Sequence, residues 1–569
     1  MQLNLRECAD FLEKHKAARG LFIILFSAIA IGLIGYHYGS FDQSVHIPFL
    51  KRMADPQLYP HDPFLRLKEN QFSFFWYFFL PIINTRLFEV GLFTIHFFTV
   101  AFFLHAIWTL AADIFQEPLA GFIAVLGFII PHTGFVGFPA IEFSLLSRTF
   151  VLPFLMTSLS LFLKERYWAS FLLLGLMYNL NLLMVNFMFL AILISFCVNK
   201  GREGLSSDCW SPAFFLVGAF PVLAWKFFTG TGIDWSMRPE WFTTITKGAL
   251  YQIFYLITDE PILFLTIGGM GALVLFFIAN AEIPDEKIMK KILTVMWVLI
   301  GLVVSQIPIT HFFPATFLIQ LQISRASLYI LIISYVCFAG YLARWWKRQA
   351  NDKRKPFLTT GVFILGLTPL FPLTALFVEK KFAHIFTNRK LVIVLLTILC
   401  LGNAFMMNHY GLWQPGIWLH PRSSDWMNLQ EWVKENTEKD ALFITPPHQT
   451  GLYESDWRVF SERGTIVTMY DLFETALKPE YFFEYAERID AVAPRARLKF
   501  NNIFFENRKI VMHAYNNLTS DQIDKIRCKY GASYIVLEKP GKLTVQSVYE
   551  NDTFQLIKLD PEADCHQSS

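Results

Sequence analysis

Three polar stretches hold the residues that could do chemistry in this chain. The first, GSFDQSVHIPFLKRMADPQLYPHDPF (Gly39 to Phe64), follows the first apolar run and carries Asp42, His46, Asp55, His61 and Asp62. Carboxylates and imidazoles just outside a bilayer can take or orient a proton on a hydroxyl-bearing substrate. Asp42 comes six residues after the run that ends near residue 36. DQSVHIPFLKRM can form an amphipathic helix on the bilayer surface, with Val45, Phe49 and Met53 facing one way. The plainer account of Asp42 is a solvated or helix-capping carboxylate, and Asp55 and Asp62 each precede a proline, as turn-initiating aspartates do.

The second stretch, GFPAIEFSLLSRTF, places Glu142 and Arg148 where another segment returns to the same surface. Six residues apart, they do not share a helix face, so each is expected to seek other partners. Charges at that depth are costly unless they serve a site or pair with each other, and pairing is the plain alternative to function. The third, FLIQLQISRASLYIL, sets Arg325 at the start of a helix beside Gln320, Gln322 and Ser324. A guanidinium there suits a phosphate, because its planar fork offers paired charged hydrogen bonds; its alternative is an interfacial anchor that snorkels to water.

The elements that must hold these residues are membrane helices. Of the 569 residues, 54% are hydrophobic and 17% aromatic. Apolar runs appear near 20–36, 87–110, 119–131, 149–163, 168–198, 211–228, 261–280, 291–309, 324–343, 357–378 and 391–407, which specifies a polytopic membrane protein of about 11–13 transmembrane helices. The run at 168–198 is too long for one crossing and carries three asparagines in YNLNLLMVN, so two helices meeting at a turn are expected. The polar head before residue 20 has no cleavage site after its apolar run and reads as a retained anchor. Basic loops at LKERYW, NKGREG, EKIMKK and RWWKRQANDKRK place those turns in the cytoplasm. The first outer loop is then 37–86. VEKKFAHIFTNRK is also basic, so 357–378, broken by the prolines of LTPLFPL, is expected to enter and leave on the cytoplasmic side. The C-terminal region is thereby placed outside.

Residues 1–409 form the membrane domain and 410–569 a soluble α/β domain. DALFITPP and GTIVTMYD read as strands, KPEYFFEYAERIDAV as a helix, TSDQIDKIRCKYG as a capped helix ended by glycine, ASYIVLEK as a buried strand, and VQSVYENDTFQLIKL as a hairpin turning at Glu550-Asn551-Asp552. Seven cysteines show no zinc-site spacing, and a pair between Cys528 and Cys565 stays open. A net charge of +3 gives no reason to expect nucleic acid.

A helix bundle whose first outer loop opens with an acidic residue, and whose chain ends in a small extracytoplasmic α/β domain, resembles the C superfamily (GT-C fold) of membrane glycosyltransferases. IEFSLLSRTFVLPFL followed by KERYWASFLLLGLMYNLN resembles a pattern in uncharacterised bacterial members; Asn181 and Leu182 stand where that pattern has histidine and proline. The run YGASYIVLEK…VYENDTFQLIKL also resembles the end of many such proteins. The resemblance implies Asp42 as catalytic base or acceptor-orienting group, with Glu142, Asp62 or His46 assisting. It implies Arg325 and Arg148 at the phosphate of a polyprenyl-phosphate-linked sugar, and Arg458 and Arg463 of DWRVFSERG as contacts in the outer domain. The acceptor would be an envelope glycan, lipid or protein, and the location a bacterial inner membrane with a periplasmic C-terminal domain. Asp42, Glu142 and Asp62 together leave a divalent metal conceivable, although no ligand spacing argues for one.

The competing class is a transporter or a non-catalytic scaffold in envelope polysaccharide assembly. Transporters place ionisable residues near the bilayer midplane in broken helices. Here the charged candidates cluster at the outer boundary, and a transporter has no need of the C-terminal domain.

Overall fold

The computed structural model describes every residue except 1–4, 71–72, 86, 136, 201–206, 231, 249–259, 349–360, 365–367, 382–388, 410–412, 452–454, 541–545, 561–564 and 566–569. The hairpin expected at 357–378 and the basic stretches 199–204, 344–355 and 378–390 therefore lie partly outside the described residues. Among those described, six helical segments are long and apolar enough to cross a membrane: Lys16–Ile34, Leu87–Phe115, Leu182–Lys200, Asp208–Thr229, Glu286–Phe312 and Thr316–Arg348. Shorter apolar helices at Pro118–Phe128, Ser147–Leu163, Tyr167–Tyr178 and Thr266–Asn280 complete the bundle. The chain is a polytopic α-helical membrane protein with a C-terminal α/β domain.

Local chemistry explains the breaks in the apolar pattern. Asn179 ends one helix by donating to the carbonyls of Gly175, Leu176 and Gly218 and accepting from Val222 N–H. Asn181 caps the next, accepting from Met184 N–H at 2.9 Å while donating to Ser147 Oγ. In lipid such amide side chains satisfy backbone groups that water cannot reach. Helices Tyr167–Tyr178 and Ala213–Thr229 cross at two glycines. A Cβ on Gly175 would lie 2.3 Å from the Phe215 carbonyl oxygen, and one on Gly218 would lie 2.7 Å from that of Leu172, a small-residue crossing of the kind that lets backbones approach. The helix Ser327–Arg348 is buried on all sides from Ser327 to Gly340, as a helix apolar around its whole circumference must be.

Seven strands are described, numbered here in chain order. Strand β1 (Tyr36–His37) pairs in parallel with β2 (Ile417–Trp418), tying the end of the first membrane helix to the entry of the C-terminal domain. Strands β3 (Leu442–Ile444), β4 (Gly464–Thr465), β5 (Tyr534–Glu538), β6 (Tyr549–Glu550) and β7 (Phe554–Lys558) form one mixed sheet in the order β4-β3-β5-β7-β6. Its β4-β3-β5 half is parallel; β7 runs antiparallel to β5 and β6, opposite Ile535 with Ile557 and Val536 with Leu556. The helix Ser520–Tyr530 starts with a capping box between Thr519 and Gln522 and stops at Gly531, whose φ of 72° favours glycine. Cys528 and Cys565 form a disulfide.

Packing crosses the sequence boundary at 409/410. Val45, Phe49, Leu58, Tyr59, Phe64 and Leu65 of the first outer loop, with Trp241 and Ile245, share one core with Leu442, Ile466, Tyr481 and Ile489 of the C-terminal domain. Lys51 Nζ donates to the Val459 carbonyl and to Glu462, both at 2.7 Å, and Tyr59 OH donates to the Arg458 carbonyl at 2.7 Å. The helix Gln43–Ala54 is consequently not laid on the bilayer surface, contrary to the amphipathic expectation. Gln43, Ser44, Val45, Ile47, Pro48, Phe49 and Leu50 are all buried, while Met53 is exposed. Apolar residues at 45, 47, 49 and 50 cover more than one face, so the helix is sandwiched between bundle and outer domain.

Candidate active site

Asp42 stands one residue before the helix Gln43–Ala54 and makes no capping bond with its side chain. Its place is fixed by its neighbours. Phe41 N–H donates to the Gly451 carbonyl at 2.9 Å; Gln43 spans from Gly39 N–H to the Leu145 carbonyl. Arg148 Nη1 donates to Asp42 Oδ2, and Arg148 Nε and Nη2 hold both oxygens of Glu142. Tyr470 OH, 428 residues distant in sequence, donates to Asp42 Oδ1 at 2.5 Å.

The pairing of Glu142 with Arg148 overturns the spacing argument. Helix-face geometry governs neighbours only where both residues are helical, and the helix begins at Ser147, which leaves Glu142 free to fold back from the irregular segment before it. The result is a line of charge, Asp42–Arg148–Glu142, whose side chains are 32%, 13% and 11% exposed. Burial alone would raise the Asp42 pKa. The Arg148 guanidinium and the Tyr470 hydroxyl outweigh it and hold the carboxyl well below the usual carboxylate range. Burial, together with the Asp42 charge, keeps Tyr470 protonated, and hence a donor, far above neutral pH.

Arg325 completes the cluster. Its guanidinium lies over the ring of Phe138, 4.7 Å from the centroid, and Arg148 lies over the same ring at 4.9 Å. Arg325 is within electrostatic reach of Arg148, Asp42, Glu142 and Tyr470. No described carboxylate forms an ion pair with it, and its buried Nε has no hydrogen-bond partner among the described residues. It is carried on the short turn Ile323–Ala326, entered through Gln322 in the left-handed region at φ 47°; Phe41, just before Asp42, is likewise left-handed at φ 51°. Non-glycine residues in that region cost about 1–3 kcal/mol each and gather where surrounding packing enforces a site.

The other expected site residues fall elsewhere. His46 stacks on Trp76 with centroids 5.1 Å apart and lends positive potential to Asp42. Asp62 is buried and accepts from Arg458 Nε at 2.7 Å and Thr465 N–H at 3.1 Å, while Arg458 also donates to Asp471 at 2.7 and 2.9 Å. This buried triad stitches the first outer loop to the C-terminal domain. Arg463 is spent on the Lys434 and Thr437 carbonyls and Thr437 Oγ1. Asp62, Arg458 and Arg463 are thus structural ties and not contacts open to a ligand.

Of the three residues the metal expectation draws on, Asp42 and Glu142 meet at Arg148, and Asp62 pairs with Arg458. Between Asp42 and Glu142 a fixed guanidinium already supplies the positive charge, and a dication there would meet Arg148 at close range. No group of three or more metal-ligating side chains is found among the described residues. Tyr470 and Phe138, by contrast, join the site without being singled out by the sequence: Phe138 lies in the same stretch as Glu142 and Arg148, Tyr470 in the segment read as a strand, and Tyr470 arrives only through the docking of the outer domain.

Residues 424–492 match a family model described as a domain of unknown function, DUF6798. The matched segment contains Arg458, Arg463, Tyr470 and Asp471. No curated protein matches the chain. Two similar solved structures are both of the oligosaccharyltransferase of Archaeoglobus fulgidus. One, tethered with an acceptor peptide containing the NVT sequon via a disulfide bond, has a TM-score of 0.46 at 11% identity, covering 91% of this chain and 69% of the other. The other, in complex with Zn and sulfate, has a TM-score of 0.42 at 10% identity, covering 91% and 67%.

Proposed function

We propose that this chain is a membrane glycosyltransferase that moves a sugar from a polyprenyl-phosphate donor to an acceptor outside the cytoplasm. The observation that carries the reading is the Arg325 guanidinium, which has no acid partner among the described residues although two carboxylates stand in its electrostatic neighbourhood. An unpaired cation is costly to bury, and an anionic ligand at the bilayer boundary compensates it. A polyprenyl phosphate presents such an anion at that depth, because its tail keeps it in the membrane.

In this reading Arg325 binds the donor phosphate and stabilises the charge that grows on it as the bond from sugar C1 to phosphate oxygen breaks. Asp42 orients the acceptor hydroxyl. A general base works best with a pKa near the working pH, and Asp42 is held far below that. It takes the acceptor proton only late, as the new bond to C1 makes the hydroxyl acidic. One in-line displacement inverts the anomeric centre. Arg148 and Tyr470 fix the Asp42 carboxylate, and Glu142 balances Arg148.

The Cys528–Cys565 disulfide supports an outer, oxidising location for the C-terminal domain, and with it the periplasmic face of a bacterial inner membrane and a role in the cell envelope. The test is transfer of radiolabelled sugar from a panel of polyprenyl-phosphate donors by the purified protein in lipid, comparing wild type with Arg325→Gln and Asp42→Asn. Transfer by wild type that is lost in Arg325→Gln supports the reading; transfer unchanged in both variants, or none from any donor, overturns it.

A further inference from the structure

A second polar site lies beside the charged cluster and is separate from it. Where the first outer loop meets the start of the C-terminal domain, a cavity of about 200 Å³ opens between His37, Ser40, Phe41, Trp418, Arg422 and Phe460. It adjoins the cluster on two sides. Phe41 is the residue before Asp42, and its ring stacks at 5.4 Å on Phe143, the residue after Glu142.

The wall is organised around Trp418. His37 stacks on that indole with centroids 4.1 Å apart and planes 9° from parallel, and the Arg422 guanidinium lies over it at 4.4 Å. His37 is 97% buried by its 3% exposure, yet its Nε2 has no hydrogen-bond partner among the described residues. The imidazole does bond to the Gln414 backbone, and with Nε2 unpartnered that bond falls to Nδ1. Burial pushes the ring down to about 4, with Arg422 adding to the effect, so it is neutral at physiological pH. A neutral imidazole that donates from Nδ1 keeps a lone pair on Nε2, a buried acceptor with no partner among the described residues. Arg422 forms no ion pair or side-chain hydrogen bond with any described residue, and no carboxylate among the described residues lines the cavity.

The requirements are specific. The occupant must place an anionic group on Arg422, set hydroxyls beside Ser40, Ser424 and Ser455, and offer an apolar face to Phe41 and Phe460. Pockets for drug-sized ligands run to about 300–1,000 Å³, so this smaller one suits a single ring. We infer that this cavity is an acceptor subsite for one saccharide residue bearing an anionic group, a carboxylate or a phosphate. Its assignment to the acceptor rests on the glycosyl-transfer reading; the binding itself does not.

The test is therefore a binding measurement without donor. Full-length protein in nanodiscs is titrated calorimetrically with methyl glucuronide, glucose 6-phosphate, methyl glucoside and inorganic phosphate. The two anionic sugars are expected to bind at least about tenfold more tightly than the neutral glucoside or phosphate alone, since a hydrogen bond to a charged group contributes about 1.5–3 kcal/mol. Arg422→Gln removes that preference by weakening the two anionic sugars more than the glucoside, while Arg422→Lys keeps part of it. Equal binding of glucuronide and glucoside, phosphate binding as tight as either sugar, an Arg422→Gln protein that still prefers the anion, or no saturable binding would each overturn the inference. Sugar binding with no transfer from any donor would count against the enzymatic reading and leave this site standing; transfer without sugar binding would do the reverse.

Discussion

Arg148 and Arg325 share the ring of Phe138, at 4.9 and 4.7 Å from its centroid, yet Arg148 holds two carboxylates and Arg325 holds none. Two guanidiniums so close repel one another. The arrangement therefore divides them into a fixed structural cation and a cation available to a ligand, and the two make opposite predictions when removed.

Arg325→Gln leaves no described acid without a partner, because none is paired with it. Its unfolding temperature is expected to match or exceed that of the wild type, since an unpaired buried charge costs stability. Transfer is expected to fall by about 10²–10³-fold, the usual cost of losing one transition-state electrostatic contact. Thermal unfolding in detergent alongside the donor assay reads both. A large loss of stability with proportionate loss of activity would show that the residue is structural.

Arg148→Gln strands Asp42 and Glu142 beside one another without their countercharge. Breaking a buried pair from one side costs about 3–5 kcal/mol, so the variant should unfold at clearly lower temperature. The double variant Glu142→Gln with Arg148→Gln should recover part of that loss, because one of the two stranded charges is gone. A double variant no more stable than Arg148→Gln alone would sink the account of Arg148 as the pin of the cluster.

The comparison of sequence with structure turns on what each residue's partners are. The membrane helices and most strands of the C-terminal sheet are legible because each is encoded locally: Asn179 and Asn181 break one apolar run, and Thr519, Gln522 and Gly531 bound one helix; GTIVTMYD, read as a strand, is one only at Gly464–Thr465 and runs into the helix Asp471–Thr475. Asp42, Arg148 and Arg325 were singled out because charge at a bilayer boundary is rare. Their relation to one another was not readable. Helical spacing sets Glu142 and Arg148 apart only if both are helical; Glu142 lies outside the helix, and the plain alternative, pairing of the two, is what forms. Asp62, with Arg458, had the composition of a site residue but proved a tie between domains, and Tyr470 gave no signal at all. The cases of Asp62 and Tyr470 share a cause, the docking of the outer domain onto loop 37–86, which depends on contacts some 400 residues apart in the chain, such as Tyr470 with Asp42 and Arg458 with Asp62.

That docking gives its own prediction. Arg458 is buried and donates to Asp62 and Asp471 at once. Arg458→Met leaves two carboxylates buried without a cation, and a loss of about 3–5 kcal/mol is expected by the same reasoning as for any broken buried pair. The loss should localise to the seam: hydrogen exchange should quicken in Leu58–Leu65 and around Thr465, which rely on Asp62 and its neighbours, and stay slow in the helix Ser327–Arg348. Uniform acceleration through the bundle would mean that the triad does not act as a local stitch.

The last prediction concerns pH and Asp456. This buried carboxyl accepts from Val459 N–H at 3.2 Å and so caps the short helix Trp457–Phe460. Burial pushes it up to about 7, only partly offset by Arg458, whose guanidinium is already held by Asp62 and Asp471. An aspartate in the unfolded chain titrates near 3.9. Between about pH 4 and pH 7 the unfolded chain has released a proton that the folded chain retains, and stability falls wherever the folded state binds more protons. The contribution of Asp456 is therefore full below about pH 4, declines as pH rises through neutrality, and is flat above it. Asp456→Asn keeps the capping oxygen without a charge to desolvate. The variant is expected to match the wild type near pH 4, to be more stable at pH 8, and to lose this part of the slope in chemical denaturation followed from pH 4 to pH 8. A variant less stable than the wild type at pH 8 would mean that the ionised carboxylate contributes to the fold and that its burial is compensated.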